Sequence, residues 1–225
     1  MKKSESQNDT ATAIREAAER LFSERGFAAV SLREIAREAG VVVSSVSYHY
    51  EGKLDLLQTI YDIHTIPMNA RRLELLGEAR QIADLSARLR AILRAYLLPT
   101  FSFAANGAAG GGARFTRMRA VLSAEGDPEA KRIIAAAFDG VTRSFLDAIA
   151  ECLPGADRRQ IVWRSQFLLG ALYYTLINPE RIERLSDGAT SGTDHETAIR
   201  ELVDAAHASF RALSREHVAD YSTAD

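Results

Sequence analysis

The sequence predicts an all-α chain, a three-helix head joined to a larger helical bundle. Three observations carry that expectation. Proline occurs only 5 times in 225 residues, while Ala, Arg, Glu and Leu recur throughout, and these residues cost a helix least. Apolar side chains return at i, i+3, i+4 and i+7 in one segment after another, the period of a helix with one buried face. The valine- and tyrosine-rich run at 41–50 has no strand-like neighbour to pair with, and an isolated strand leaves its backbone groups unsatisfied. At this length the chain can hold one large or two small domains, each with its own core.

The first helix is expected to begin near Asp9 or Thr10, both good N-caps. Ile14, Ala17, Ala18, Leu21 and Phe22 form its apolar stripe, and Arg25 precedes the stop at Gly26. Phe27 and Val30 should pack under the next helix, which Ser31 can cap. In that helix Leu32, Ile35, Ala36 and Ala39 share one face, and Arg33, Glu34, Arg37 and Glu38 the other. Gly40 ends it, because a positive φ costs glycine little. The run VVSSVSYHY follows, with Val46 and Tyr50 as core residues four apart. Propensity alone favours a strand there, but the missing pairing partner favours a helix. Two short helices joined through glycine have the geometry of a helix-turn-helix, whose second helix lies in the DNA major groove. Lys53 opens a fourth helix with Leu54, Leu57, Ile60 and Tyr61 inward, ending near Ile66 ahead of Pro67. This reading divides the chain into a head at 1–57 and a bundle at 58–225.

In the bundle, Leu85, Leu89, Ile92, Leu93, Tyr96 and Leu97 mark a helix over Asp84 to Leu98, which Pro99 ends or kinks. The tract AANGAAGGGA at 104–113 has no preceding strand and no GK[ST] ending, so it reads as a linker and not a phosphate-binding loop. Phe115, Met118, Val121 and Leu122 give a short helix. Asp127-Pro128 then supplies an N-cap and an N1 proline for the helix carrying Ile133, Ile134, Phe138, Phe145 and Ile149. Asp157 can cap the next, running to about Ile177, and SDGATSGT at 186–193 connects it to a last helix from Asp194 to about Glu216. The Asp157 helix is apolar on more than one side, so a second subunit is expected against one face.

Composition narrows the function. Net charge is −2, and residues 1–57 hold 8 Lys and Arg against 9 Asp and Glu, so no basic surface advertises nucleic-acid binding. A DNA reader with this balance must place its few cations well and lean on neutral donors. The single Cys152 excludes an intramolecular disulfide and fits a reducing compartment. MKKSESQNDT lacks the apolar core of a signal peptide, and no run is long and apolar enough to span a bilayer, so a cytoplasmic protein without membrane contact is expected. No two of the 5 His stand at a metal-ligand spacing, and no HExxH, GxSxG or Walker signature is present. Neither metal, cofactor nor catalysis is expected.

The block GFAAVSLREIAREAGV followed by SYHYEGKLDLL, within residues 10–60, resembles the N-terminal domain of the TetR/AcrR family of bacterial transcriptional regulators. Its most specific parts are Gly26-Phe27, Ser31-Leu32-Arg33, Ile35-Ala36, Ala39-Gly40-Val41, Tyr48-His49-Tyr50 and Lys53. MNARRLELLGEA and LRAILRAYLLP are similar, more loosely, to the C-terminal domain of one subgroup. The resemblance implies that Val43, Ser44, Ser45, Ser47, Tyr48 and His49 face the major groove or its phosphates. It further implies that Arg33 reaches a base or phosphate and that Lys53 binds a phosphate. No carboxylate on its own helix is placed to pair with Arg33. Without the family match, the serines would equally suit a solvated helix face. The chain departs from the family at Val42, which cannot cap, at Ser47 in place of a common Tyr, and at Val43, which offers a base only apolar contact.

A homodimer on double-stranded DNA, repressing until a small-molecule effector releases a palindromic operator, is the function the resemblance implies. In this family the last two helices of each subunit pair at the dimer interface, for which Phe167, Leu168, Leu202, Ala206 and Phe210 are the candidates here. Aromatic and basic residues that could line an effector pocket within the bundle are Tyr96, Phe103, Arg117, Phe138, Trp163, Phe167 and Tyr173. The rival reading is a helical interaction protein with a weak or degenerate DNA-binding head, which the acidic balance of residues 1–57 supports.

Overall fold

The computed structural model describes residues 2–102 and 111–222, and among them the regular structure is helical throughout. The elements are α1 (Lys2–Arg25), α2 (Leu32–Glu38), α3 (Val43–His49), α4 (Lys53–Arg80), α5 (Leu85–Ser102), α6 (Gly111–Glu125), α7 (Pro128–Glu151), α8 (Arg158–Ile177), α9 (Glu180–Leu185) and α10 (His195–Ser222). Their packing forms two compact units. The first holds α1, α2, α3, α4 as far as Pro67, α6, and α7 through Phe138; the second holds the rest. These units interleave along the chain instead of following a division at 57/58, because α6 packs on α1 and α4 continues past that point.

In the first unit the α1 stripe is fully enclosed: Ile14, Ala17, Ala18 and Phe22 have no exposed surface and Leu21 very little. Each large apolar side chain so buried contributes about 1.5–3 kcal/mol. Phe115, Met118 and Leu122 close the α6 side. Tyr61 meets the Phe115 ring edge-on at 5.0 Å, and His64 stacks on Phe115 at 4.5 Å. In the second unit α10 packs on α5 and α8, burying Leu89, Ile92, Leu93, Ile161, Leu172, Ile199, Val203 and Leu213. Arg72 is buried there too, its guanidinium donating to Tyr96 O, Asn69 Oδ1 and Thr100 Oγ1 at 2.8–3.2 Å and lying over the Tyr96 ring.

Several boundaries differ from the expectation. Helix α1 begins at Lys2 and not at Asp9 or Thr10, since no glycine or proline interrupts the chain before Gly26. Pro67 and Pro99 lie inside α4 and α5. Each removes one donor from its helix, a loss of roughly 3 kcal/mol in an isolated helix. Burial of Tyr61, His64 and Met68 around Pro67, and of Leu97, Thr100 and Phe101 around Pro99, keeps both helices intact. Leu54, expected inward, is 40% exposed, and Leu56 takes its place in the core. Helix α9 carries no capping signal in the sequence: Pro179 starts it without a side-chain cap.

Candidate nucleic-acid interface

The three helices of the head are locked by short-range chemistry that a sequence can specify. Ser31 Oγ accepts from Glu34 N–H and the Glu34 carboxylate accepts from Ser31 N–H, a reciprocal cap on α2. These contacts, with Arg25 at 2.8 Å, hold the Glu34 carboxyl down at about 2, the Ser31 backbone N–H being the largest cause. After α2, Gly40 takes φ +69, and Val41 N–H returns to Ala36 O at 2.9 Å. The chain then re-enters a helix at Val43, so residues 43–49 are helical despite their β-formers. Buried Val46 and Tyr50 pin α3 to the core, and the Tyr50 hydroxyl, its pKa raised by burial, donates to Ala11 O at 3.1 Å.

With Val46 and Tyr50 turned inward, α3 presents its other face to solvent. Val43, Ser44, Ser47 and Tyr48 are exposed, and Ser45 and His49 are half-buried. Tyr48 stands 72% exposed, its ring meeting His49 edge-on at 5.2 Å. A large aromatic held outward on a seven-residue helix is poorly explained by stability of the head itself. Val42, at the N-cap, makes no side-chain bond to the first turn.

Charge on this surface is better arranged than its total suggests. Arg25 pairs with Glu34 and Arg20 pairs with Glu38 at 3.3 Å, so two of the head's arginines and two of its carboxylates neutralise each other. Arg33 and Arg37 stay exposed on α2 and make no ion pair among the described residues. Lys53 is placed differently from what the resemblance implies. Its ammonium donates to Phe27 O at 2.7 Å and Val30 O at 2.9 Å and lies 4.2 Å over the Phe27 ring. Burial lowers its pKa, opposed by Glu125, Asp127 and Glu34. Lys53 therefore anchors the turn between α1 and α2, with two of its three donors committed inside the protein.

The pocket and dimer candidates do not converge. Phe103 lies outside the described residues. Phe138 is buried in the first unit beneath the Arg119 guanidinium, at 3.6 Å, and Arg117 is exposed on α6. Tyr96 belongs to the second unit, edge-on to Phe145 at 5.2 Å, with Tyr173 half-buried on α8. Trp163 and Phe167 are 63% and 56% exposed and in ring contact with each other, so they form a surface stripe and not a pocket wall. Two cavities of about 560 and 280 Å³ open among α8, α9, α10 and the 190–192 turn; none of the pocket candidates lines either, while the dimer candidate Leu202 lines the larger. Of the dimer candidates, Leu202, Ala206 and Phe210 are consumed by the core of their own subunit, Leu168 is half-buried, and only Phe167 is exposed. The α10 residues for which the resemblance implies a partner instead lie on the face that packs against α5 and α8 of the same subunit.

A compact helical head with an outward-facing second helix defines a helix-turn-helix protein. Comparison with known proteins names the lineage. The profile of bacterial regulatory proteins of the tetR family matches residues 14–60, and that of the tetracyclin repressor-like C-terminal domain matches residues 94–209, more than half of the chain. The chain belongs to the TetR family of bacterial transcriptional regulators. It is similar to the HTH-type transcriptional regulator AcrR of Shigella flexneri, with 36% identity over 85 residues, 38% of this chain and 39% of that protein. The chain thus matches about two fifths of the length of that relative. A TetR-family regulator from Streptomyces coelicolor shares the fold at a TM-score of 0.52 and 18% identity, over 92% of this chain and 97% of its own. AibR, solved with isovaleryl coenzyme A and operator DNA, aligns at a TM-score of 0.53 and 20% identity, over 86% and 96%. Among the described residues no helix is long and apolar enough to cross a membrane, and no group of His, Cys, Asp and Glu is placed to hold a metal ion.

Proposed function

We propose that this chain is a homodimeric repressor that binds a palindromic operator through α3 and releases it when a small molecule occupies the bundle. The outward face of α3 carries the proposal: Tyr48, Ser44 and Ser47 are exposed while Val46 and Tyr50 hold the helix in place. On this reading Val43, Ser44, Ser45, Ser47, Tyr48 and His49 meet the groove and its flanking phosphates, Arg33 meets the backbone or a base edge, and Lys53 acts mainly by fixing the turn behind them.

The outer face of α8 supports dimerisation. Trp163, Phe167 and Tyr174 recur at i, i+4 and i+11 and are each more than half exposed, an apolar seam that a lone subunit would leave in water. A seven-residue recognition helix buries too little to hold DNA alone, whereas two such helices, one turn of the duplex apart, supply affinity and palindromic specificity. That AibR was solved with an acyl-coenzyme A and operator DNA is consistent with an effector-released regulator.

The test is a salt titration of binding to the DNA upstream of the chain's own gene. A repressor shows a steep linear fall of log affinity with log salt. Weak binding with a flat slope would instead mark a helical interaction protein with a degenerate head.

A further inference from the structure

The turn between α1 and α2 is gripped from two sides by charged groups. On one side Lys53 donates to the carbonyls of Phe27 and Val30. On the other, the carboxylate of Glu125, last residue of α6, accepts from the backbone N–H of Phe27 at 2.6 Å and from that of Ala28 at 2.5 Å. The approach is close enough that a Cβ on Gly26, which has φ +81, would lie 2.8 Å from Glu125 Oε2. Glu125 is itself fixed between two helices. Gly126 N–H returns to Leu122 O, and Asp127 caps α7 by accepting from the N–H groups of Glu129 and Ala130.

We propose that Glu125 is a positioning residue for DNA binding: its carboxylate holds the α1–α2 turn, and through it α2 and α3, in register with α6. Helix α2 begins at Leu32, immediately beyond the gripped turn, and α3 packs on α2. An anion accepting two adjacent backbone donors makes charge-assisted bonds, stronger and more directional than a neutral acceptor makes.

This inference rests on the operator-binding reading, and electrostatics gives it a sign. Removing a carboxylate from a DNA-binding head lessens repulsion of the phosphates and by itself strengthens binding. Removing a positioning group weakens it. The experiment compares the full chain with Glu125→Gln, Glu125→Ala and the control Glu24→Gln on the same upstream DNA, together with amide hydrogen exchange. Expected are operator binding weakened at least tenfold in both Glu125 variants, unchanged or tighter binding for Glu24→Gln, and faster exchange at the Ala39 and Tyr50 amides in Glu125→Gln. Variant affinity equal to or above that of the parent overturns the proposal, as does faster exchange confined to Phe27 and Ala28. Failure of both Glu125 variants to fold also overturns it, since the residue would then serve folding. If the parent itself ignores the DNA, the operator reading fails, and exchange at Ala39 and Tyr50 still decides whether Glu125 orders the head.

Discussion

Tyr50 donates its hydroxyl to the carbonyl of Ala11, 3.1 Å away and 39 residues earlier, so the residue that ends the recognition helix is tied to the first helix of the head. The ring is buried and the bond partly so. Tyr50→Phe keeps the packing and removes only the bond. It should lower unfolding stability by about 1 kcal/mol in urea titration, and operator binding should weaken in step as α3 loosens.

Tyr48→Ala separates contact from stability. At 72% exposure the side chain adds little to the fold, so the melting temperature should stay within a degree or two of the parent. Operator affinity should fall at least about tenfold, or about 1.4 kcal/mol, measured by fluorescence anisotropy at fixed salt. Binding equal to that of the parent would remove Tyr48 from the interface.

Lys53→Gln distinguishes an anchor from a phosphate contact. Loss of a phosphate contact reduces the magnitude of the log–log salt slope by about 1. Loss of the bonds to Phe27 O and Val30 O instead reduces stability, by about 1.5–3 kcal/mol for hydrogen bonds to a charged group. The structure leads us to expect lower stability and a preserved slope.

The Glu34 cap gives the head a defined acid limit. Its folded pKa is about 2 against an ordinary 4.5, so the carboxylate stabilises the fold fully above 4.5. That contribution is lost as pH falls from 4.5 towards 2, where the folded form also takes up its proton. Urea titrations of the parent and Glu34→Gln should therefore differ at pH 7 and converge across that window. A constant difference down to pH 2 would deny the cap this role.

On α8, Trp163→Glu and Phe167→Glu place charges on a seam that is exposed in the single subunit. Each should raise the dimer dissociation constant by at least about thirtyfold, the effect of losing about 2 kcal/mol at an interface anchor, by sedimentation equilibrium. Leu202→Glu differs, because Leu202 is buried within its own subunit and the change should unfold the chain.

Local chemistry was legible in the chain, and contacts between distant segments were not. Ser31 with Glu34, Asp127 before Pro128, and Asp157 before Arg158 act over two or three residues, and the caps they form stand where their spacing puts them. Helix α3 could be read only by asking what a strand there would pair with. Pro67 does not end α4 because proline weakens a helix by a fixed local amount, while the burial that outweighs it comes from other segments. Lys53 and Glu125 depend on approaches across 23–26 and 97–98 residues, and no periodicity records those. The exposed face of α8 and the buried face of α10 look alike in sequence because both are apolar.

Val42 at the entrance to α3 has a thermodynamic consequence. A helix that begins on a hydrocarbon has no side-chain acceptor for its leading amides, although Ser45 N–H returns to Val42 O at 2.9 Å. Free in water, that first turn frays more readily than the serine-capped turn of α2. On the operator-binding reading, phosphate oxygens can serve as the acceptors that the Val42 side chain omits, and part of the free energy of binding then goes into tightening the first turn of α3.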